Sequence, residues 1–140
     1  MSTAFETFKH LFAPLTANCR DFHRIWERSA GAAPPAGRWR GEWRSIETGH
    51  HGALLCAIET AAGSTWRAAF RAGYAGVFRA CYAIDLHVTP DGDRWVFKGQ
   101  SDIGWVAGGV YEYDGEATAG TFVSRYRSAT DHGEFRLTRP

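Results

Sequence analysis

An excess of charge of either sign is the first thing this chain lacks. Its 16 basic and 15 acidic residues leave a formal net charge of +1. A general nucleic-acid binder or a polybasic membrane anchor would need a stronger electrostatic footprint, so neither partner is expected. Long apolar runs are missing too, and none approaches the ~20 residues that span a bilayer. The opening Met1-Ser2-Thr3-Ala4-Phe5-Glu6 has no basic stretch and no continuous apolar stretch, so it does not read as a secretion signal. Cysteine is scarce. Cys19, Cys56 and Cys81 lie far apart without a Cys-x-x-Cys pair, and they read as reduced thiols in a cytoplasmic protein. No P-loop, Gly-x-Gly-x-x-Gly or Gly-x-Ser-x-Gly occurs. Asp91-Gly92-Asp93 lacks the remaining ligands of a calcium loop and reads as a hairpin turn.

What the chain does have is aromatic side chains and glycine. Aromatics form 14% of its 140 residues, with six Trp, and there are 16 Gly. An apolar share of 44% against 22% charged suits one folded domain and excludes a disordered chain.

The first 30 or so residues differ from the rest. Thr3-Ala4-Phe5-Glu6 has capping-box spacing, and Phe5, Phe8, Leu11 and Phe12 follow at helical spacing until Pro14. A second helical stretch, about residues 16–28, puts Phe22, Ile25 and Trp26 on one face. Residues 31–37, with Pro34 and Pro35, form a linker that neither a helix nor a central strand would tolerate. The helical segment, residues 1–30, has no core of its own. It must dock on the larger unit formed by residues 38–140, and entering from one end of that unit it is placed to plug it.

From Arg38 onward the apolar period becomes two. Trp39 and Trp43 alternate with Arg38, Arg40, Glu42 and Arg44, and seven further runs repeat the pattern as far as Phe135 and Leu137. Gly-, Asp- and Pro-bearing turns separate them, such as Pro90-Asp91-Gly92 and Asp114-Gly115. The expected fold is mainly β: an eight-stranded antiparallel up-and-down barrel over residues 38–140, preceded by one or two short α-helices. Closure disposes of the unprotected edges that eight amphipathic strands would otherwise leave. A two-sheet sandwich is the structural rival.

Gly37-Arg38-Trp39, entering the first strand after a helical segment, resembles the Gly-x-Trp motif that opens lipocalin barrels. In that family the Trp closes one barrel end beneath an Arg from the last strand, a part open here to Arg136 or Arg139. Gly41-Glu42-Trp43 repeats the spelling, and the family's Thr-Asp-Tyr motif has no counterpart. The resemblance implies a calycin-like barrel with a lumen for small apolar molecules.

In an eight-strand meander the connections alternate between the two ends. The first (His50, His51), third (Gly73 to Gly76), fifth (Gly104 to Ala107) and seventh (Asp131, His132) therefore share one end, with Trp105 facing the histidines. Such a cluster suits three roles: acid–base chemistry by His51, Asp131, His132 and Tyr126; a divalent metal on His50, His51 and His132; or one axial ligand for a haem. No cofactor is required by the sequence. The plain alternative is a tight Gly-His-His-Gly turn with imidazoles in solvent. Inward positions supply a second constellation: Trp39, Trp43, Trp66, Phe78, Tyr82, Trp95, Tyr111, Tyr113, Phe122, Ser124 and Tyr126. An apolar cavity with a few convergent hydroxyls is how small-molecule sites are built, though aromatics can also fill an eight-stranded barrel. Gly41, Ala68, Ala80 and Gly109 are the small residues expected to leave room. Cys56 should face inward and Cys81 outward.

The function expected is the binding of a small, largely apolar or aromatic molecule in the lumen. Two alternatives stand beside it. One is a cofactor-independent isomerase or cyclase using the same cavity, and the other is an interaction module, with a homodimer formed through the N-terminal helices.

Overall fold

The computed structural model describes residues 19–60, 63–76, 78–102 and 110–140. The expected helix over Phe5 to Phe12, with the dimer contact assigned to it, lies outside the described residues, as do Trp105 and Gly109.

Among the described residues eight strands follow one helix: α1 (Cys19–Arg28), β1 (Gly37–Ser45), β2 (His51–Thr60), β3 (Thr65–Tyr74), β4 (Phe78–Asp91), β5 (Arg94–Asp102), β6 (Val110–Ala117), β7 (Thr121–Arg127) and β8 (His132–Thr138). Each strand pairs antiparallel with the next. β8 returns to β1 with Gly41 opposite Leu137 and Trp43 opposite Phe135, closing the barrel. The sandwich is thereby excluded. The alternation explains the closure: every strand has one apolar face, and only a ring turns all eight inward without leaving an edge. Trp39, Leu54, Cys56, Phe70, Leu86, Phe97, Phe122 and Leu137 are buried in that interior. Opposite charges meet across strands on the outside, as in Arg67–Asp85, Arg94–Glu116, Arg125–Asp114 and Arg127–Glu112. These exposed pairs keep the wall wet and contribute little stability each, ~0–1 kcal/mol.

Gly41 does not hollow the lumen as expected. A Cβ there would meet the Arg136 carbonyl oxygen of β8 at 1.8 Å, so its smallness lets two strand backbones approach.

The helix corrects two further expectations. α1 does not plug a barrel end. It lies against the outer wall, where Phe22 is buried with Ala69 and Cys81, and Ile25 and Trp26 pack against the same cluster with Leu55 and Ala83. The cysteines are not all reduced thiols either: Cys19 and Cys81 form a disulfide that ties α1 to β4, with Cα atoms 5.0 Å apart. Cys56 faces the interior as a buried free thiol, so the inward and outward assignments of Cys56 and Cys81 hold. The outward residues of β2, β3 and β4 under the helix are small or apolar, and an amphipathic helix covers them for the same reason a core forms. Among the described residues no helix is long and apolar enough to cross a membrane.

Candidate functional site

One end of the barrel receives the linker. Trp39 is 0% exposed there, donates its indole N–H to the Pro35 carbonyl (3.0 Å) and packs on Phe122, itself stacked on Phe97. The Arg139 guanidinium lies 4.9 Å from the Trp39 ring centre and donates to the carbonyls of Ala36 and Ala32 (2.7 and 2.8 Å). Of the two arginines considered for this position, Arg139 takes it; Arg136 points outward beside Glu134. Trp66 and Trp95 meet edge to face near the same end. These contacts seal the linker end with apolar surface and satisfied donors. Four residues expected to line a ligand, Trp39, Trp66, Trp95 and Phe122, thus sit at or near the sealed end. Ser124 donates to the carbonyls of Asp114 and Arg125, so its hydroxyl is engaged by backbone.

The opposite end is polar. The β1–β2 and β7–β8 turns lie side by side, with the Ile46 amide donating to the His132 carbonyl (2.9 Å). Ser45, the last inward residue of β1, is 2% exposed. It donates to Asp131 Oδ1 at 2.6 Å and accepts from the Thr48 amide at 3.2 Å. The Tyr126 hydroxyl makes a longer bond, 3.4 Å, to Asp131 Oδ2. At the β3 side of this end the Tyr74 hydroxyl lies 2.6 Å from His50 Nδ1, and Trp43 stacks on Tyr74 while donating to the Gly73 carbonyl (2.8 Å). The parity of the connections therefore brings His50, Asp131 and His132 to one end, as the sequence implies.

The histidines themselves do not converge. His51 is exposed on the wall opposite Arg44, and His132 is exposed with Nδ1 3.1 Å from Glu47. His50 alone is half-buried. Among the described residues no three metal-ligating side chains cluster, so the shared-metal arrangement of His50, His51 and His132 does not form. The described residues offer no observation to support haem ligation.

Below the polar end, tyrosines crowd the lumen. Phe135 stands between Phe70, Tyr113 and Tyr126 (ring centres 5.6, 6.0 and 5.4 Å), and Tyr111 packs on Tyr126. Tyr113 shares a hydrogen bond with Ser101 (3.1 Å). Burial pushes the phenol pKa values of Tyr113 and Tyr126 well up, and the Asp131 carboxylate adds to the rise at Tyr126. Tyr82 is raised by burial and then by its neighbours Tyr113, Cys56, Tyr126 and Tyr111. These phenols stay protonated near neutrality and act as neutral donors.

The β4–β5 ladder runs from Leu86–Gly99 to Asp91–Arg94, the half of β4 nearer the linker end. Tyr82 lies in the part of β4 beyond that ladder, stacked on Phe70 and only half-buried, although it faces the interior. Gly133 is small because both a backbone and a ring lie against it: a Cβ there would meet the Arg44 carbonyl oxygen at 2.1 Å and the Tyr126 hydroxyl at 2.5 Å. A hollow between Arg40, Glu42, Val123 and Arg136 is an open groove on the charged outer wall.

Sequence reasoning missed Ser45, Tyr74 and Phe135. All three continue an alternation already visible, Trp39-Gly41-Trp43-Ser45, Phe70-Ala72-Tyr74 and Phe135-Leu137, and extending each run by one step to the turn or to the neighbouring ring would have found them. The side chain of Phe78 lies outside the described set. Compared with known proteins, the chain matches no family model, no curated protein and no solved structure at a significant level.

Proposed function

We propose that this barrel binds a small, largely apolar or aromatic molecule in its lumen, entering at the polar end, in the manner of lipocalin-like barrels. The observation that carries the reading is a half-buried, inward-facing Tyr82 in the part of β4 beyond the β4–β5 ladder. The sealed linker end, with Arg139 over Trp39 beside the Gly37-Arg38-Trp39 motif, supports the likeness to lipocalins. The phenols of Tyr111, Tyr113 and Tyr126 face the lumen and, protonated near neutrality, would orient the guest as neutral hydrogen-bond donors.

Native mass spectrometry of freshly purified protein, intact and then denatured, tests this. An excess mass released on denaturation is expected, or, from an empty barrel, saturable uptake of an environment-sensitive aromatic dye that Ala68→Phe blocks. An empty protein that takes up no dye would overturn the proposal.

A second reading rests on the Tyr126–Asp131 contact. A phenol held against a carboxylate is a proton-transfer pair, and isomerase or cyclase chemistry in the same cavity would use it. Turnover abolished by Tyr126→Phe with binding retained would favour that enzyme. The cytoplasmic location loses its cysteine argument, because the Cys19–Cys81 bond is of a kind that persists in oxidising compartments.

A further inference from the structure

We infer that the ligand carries an ammonium group on its apolar body, and that Asp131 is the residue that receives it. This rests on the lumen-binding reading and specifies its ligand class. The argument starts from a charge inventory of the barrel. Acidic groups on the outer wall are characteristically matched by arginines, in pairs such as Arg125–Asp114 and Arg127–Glu112. Asp131 is not. It is half-buried at the polar end, and its two oxygens accept from the hydroxyls of Ser45 and Tyr126, with no cation within ion-pair distance among the described residues.

The lumen offers no counter-charge either. The fully buried polar side chains among the described residues are Ser29, Ser45 and Ser124, and none is ionic. A carboxylate held at the rim of a cation-free, aromatic interior has two consequences. An anionic guest would be repelled and left without a partner, because a charge taken out of water must be paired. A cationic guest would be received twice, by the carboxylate and by the faces of aromatic rings, which attract ammonium groups. Tyr126 bonds the carboxylate and Tyr111 packs on Tyr126, and the carboxylate pushes both phenols up.

The geometry also sets the ligand's orientation. The ammonium end stays at the rim with Asp131, while the apolar body passes Phe135 and Tyr82 toward Phe70. Length is then limited by the sealed end at Trp39.

The test compares three head groups on one body: dodecylamine, dodecanol and dodecanoate, and in parallel tryptamine, tryptophol and indoleacetate. Affinity is read by isothermal titration calorimetry, and the place of binding by changes in the ring NMR signals of Tyr111, Tyr126 and Phe135. The amine is expected to bind at least ~10-fold more tightly than the alcohol, with the carboxylate weakest, a tenfold ratio being the usual scale for a paired charge at a partly buried site. Asp131→Asn should erase the amine's advantage and leave the alcohol unchanged. Glu47→Gln, an exposed acid at the same end, should change neither. An alcohol that binds as tightly as the amine, or an amine preference that survives Asp131→Asn, would overturn this inference and leave lumen binding intact. If no probe shifts the three rings, lumen binding fails and this inference fails with it. The ranking on the unaltered protein decides the matter even where Asp131→Asn does not fold.

Discussion

The two ends of the barrel are built from the same residue types and put to opposite uses. At the linker end, Trp39 is wholly buried, its indole N–H is satisfied by Pro35, and Arg139 lies over it bonded to two linker carbonyls. At the polar end, Trp43 is also buried and also donates to a carbonyl, that of Gly73, but it stacks on Tyr74, and the same end carries the Tyr74–His50 and Ser45–Asp131 hydrogen bonds. The linker end directs its donors to backbone carbonyls. The polar end keeps hydroxyls and a carboxylate at the rim. The comparison teaches that an aromatic lining does not by itself locate a binding site. What distinguishes the ends is what the polar groups bond: backbone carbonyls at the linker end, largely other side chains at the polar end.

The largest expected effect comes from breaking the sealed end. Trp39→Ala should destabilise the fold by about 3–5 kcal/mol, the usual cost of emptying a buried Trp site, measured by urea unfolding. A loss below about 1 kcal/mol would show that this end is not the structural one.

Next is the strap leading into that end. Replacing Cys19 by Ser removes the bond that holds α1 to β4 across 62 residues of chain and should cost about 2–4 kcal/mol. The rings of Phe22 and Trp26 should gain mobility while those of Tyr111 and Tyr126 keep their NMR positions. Equal disturbance at both ends would contradict their independence.

A smaller effect appears in alkali. Burial raises the phenol pKa values of Tyr113 and Tyr126 above the ordinary 10. As pH rises past about 10, the unfolded chain releases these protons before the folded one does. The stability they contribute is therefore complete below that pH and is lost above it, at up to about 1.4 kcal/mol per pH unit for each phenol. Thermal unfolding followed from neutral to alkaline pH should show the decline, and Tyr113→Phe should make it shallower. An unchanged slope in that variant would mean that the phenol is open to solvent.

The smallest effect is expected at His132. Its imidazole is exposed and its ion-pair contact is with the exposed Glu47, so His132→Ala should move stability by no more than about 0.5 kcal/mol. It should also leave ligand affinity unchanged. A large loss of binding would restore the histidines to the site.

Much of this was legible in the residues. The period-two runs gave eight strands, and parity brought His50, Asp131 and His132 to one end because successive hairpins must alternate between ends. Gly37, Trp39 and an arginine near the C-terminus marked the sealed end. Docking of the helical segment was expected, but at a barrel end; Leu55, Ala57, Ala69 and Ala83, which break the charged pattern on the outward face of β2 to β4, signal the covered wall instead. The Cys19–Cys81 bond could not be read, because spacing along the chain carries no information on which outward cysteine a docked helix will meet.

Eight alternating amphipathic strands with short turns were set by the residues alone, and closure was the economical way to bury one face of each; the pairing of β8 with β1 decided it against a sandwich. Tertiary structure alone decided how the polar side chains were used. Ser45, Ser124, His51 and Asp131 look equally available as residues. Whether each meets a backbone carbonyl, bulk water or an aromatic lumen depends on strand register and on distances fixed only when the whole ring has closed.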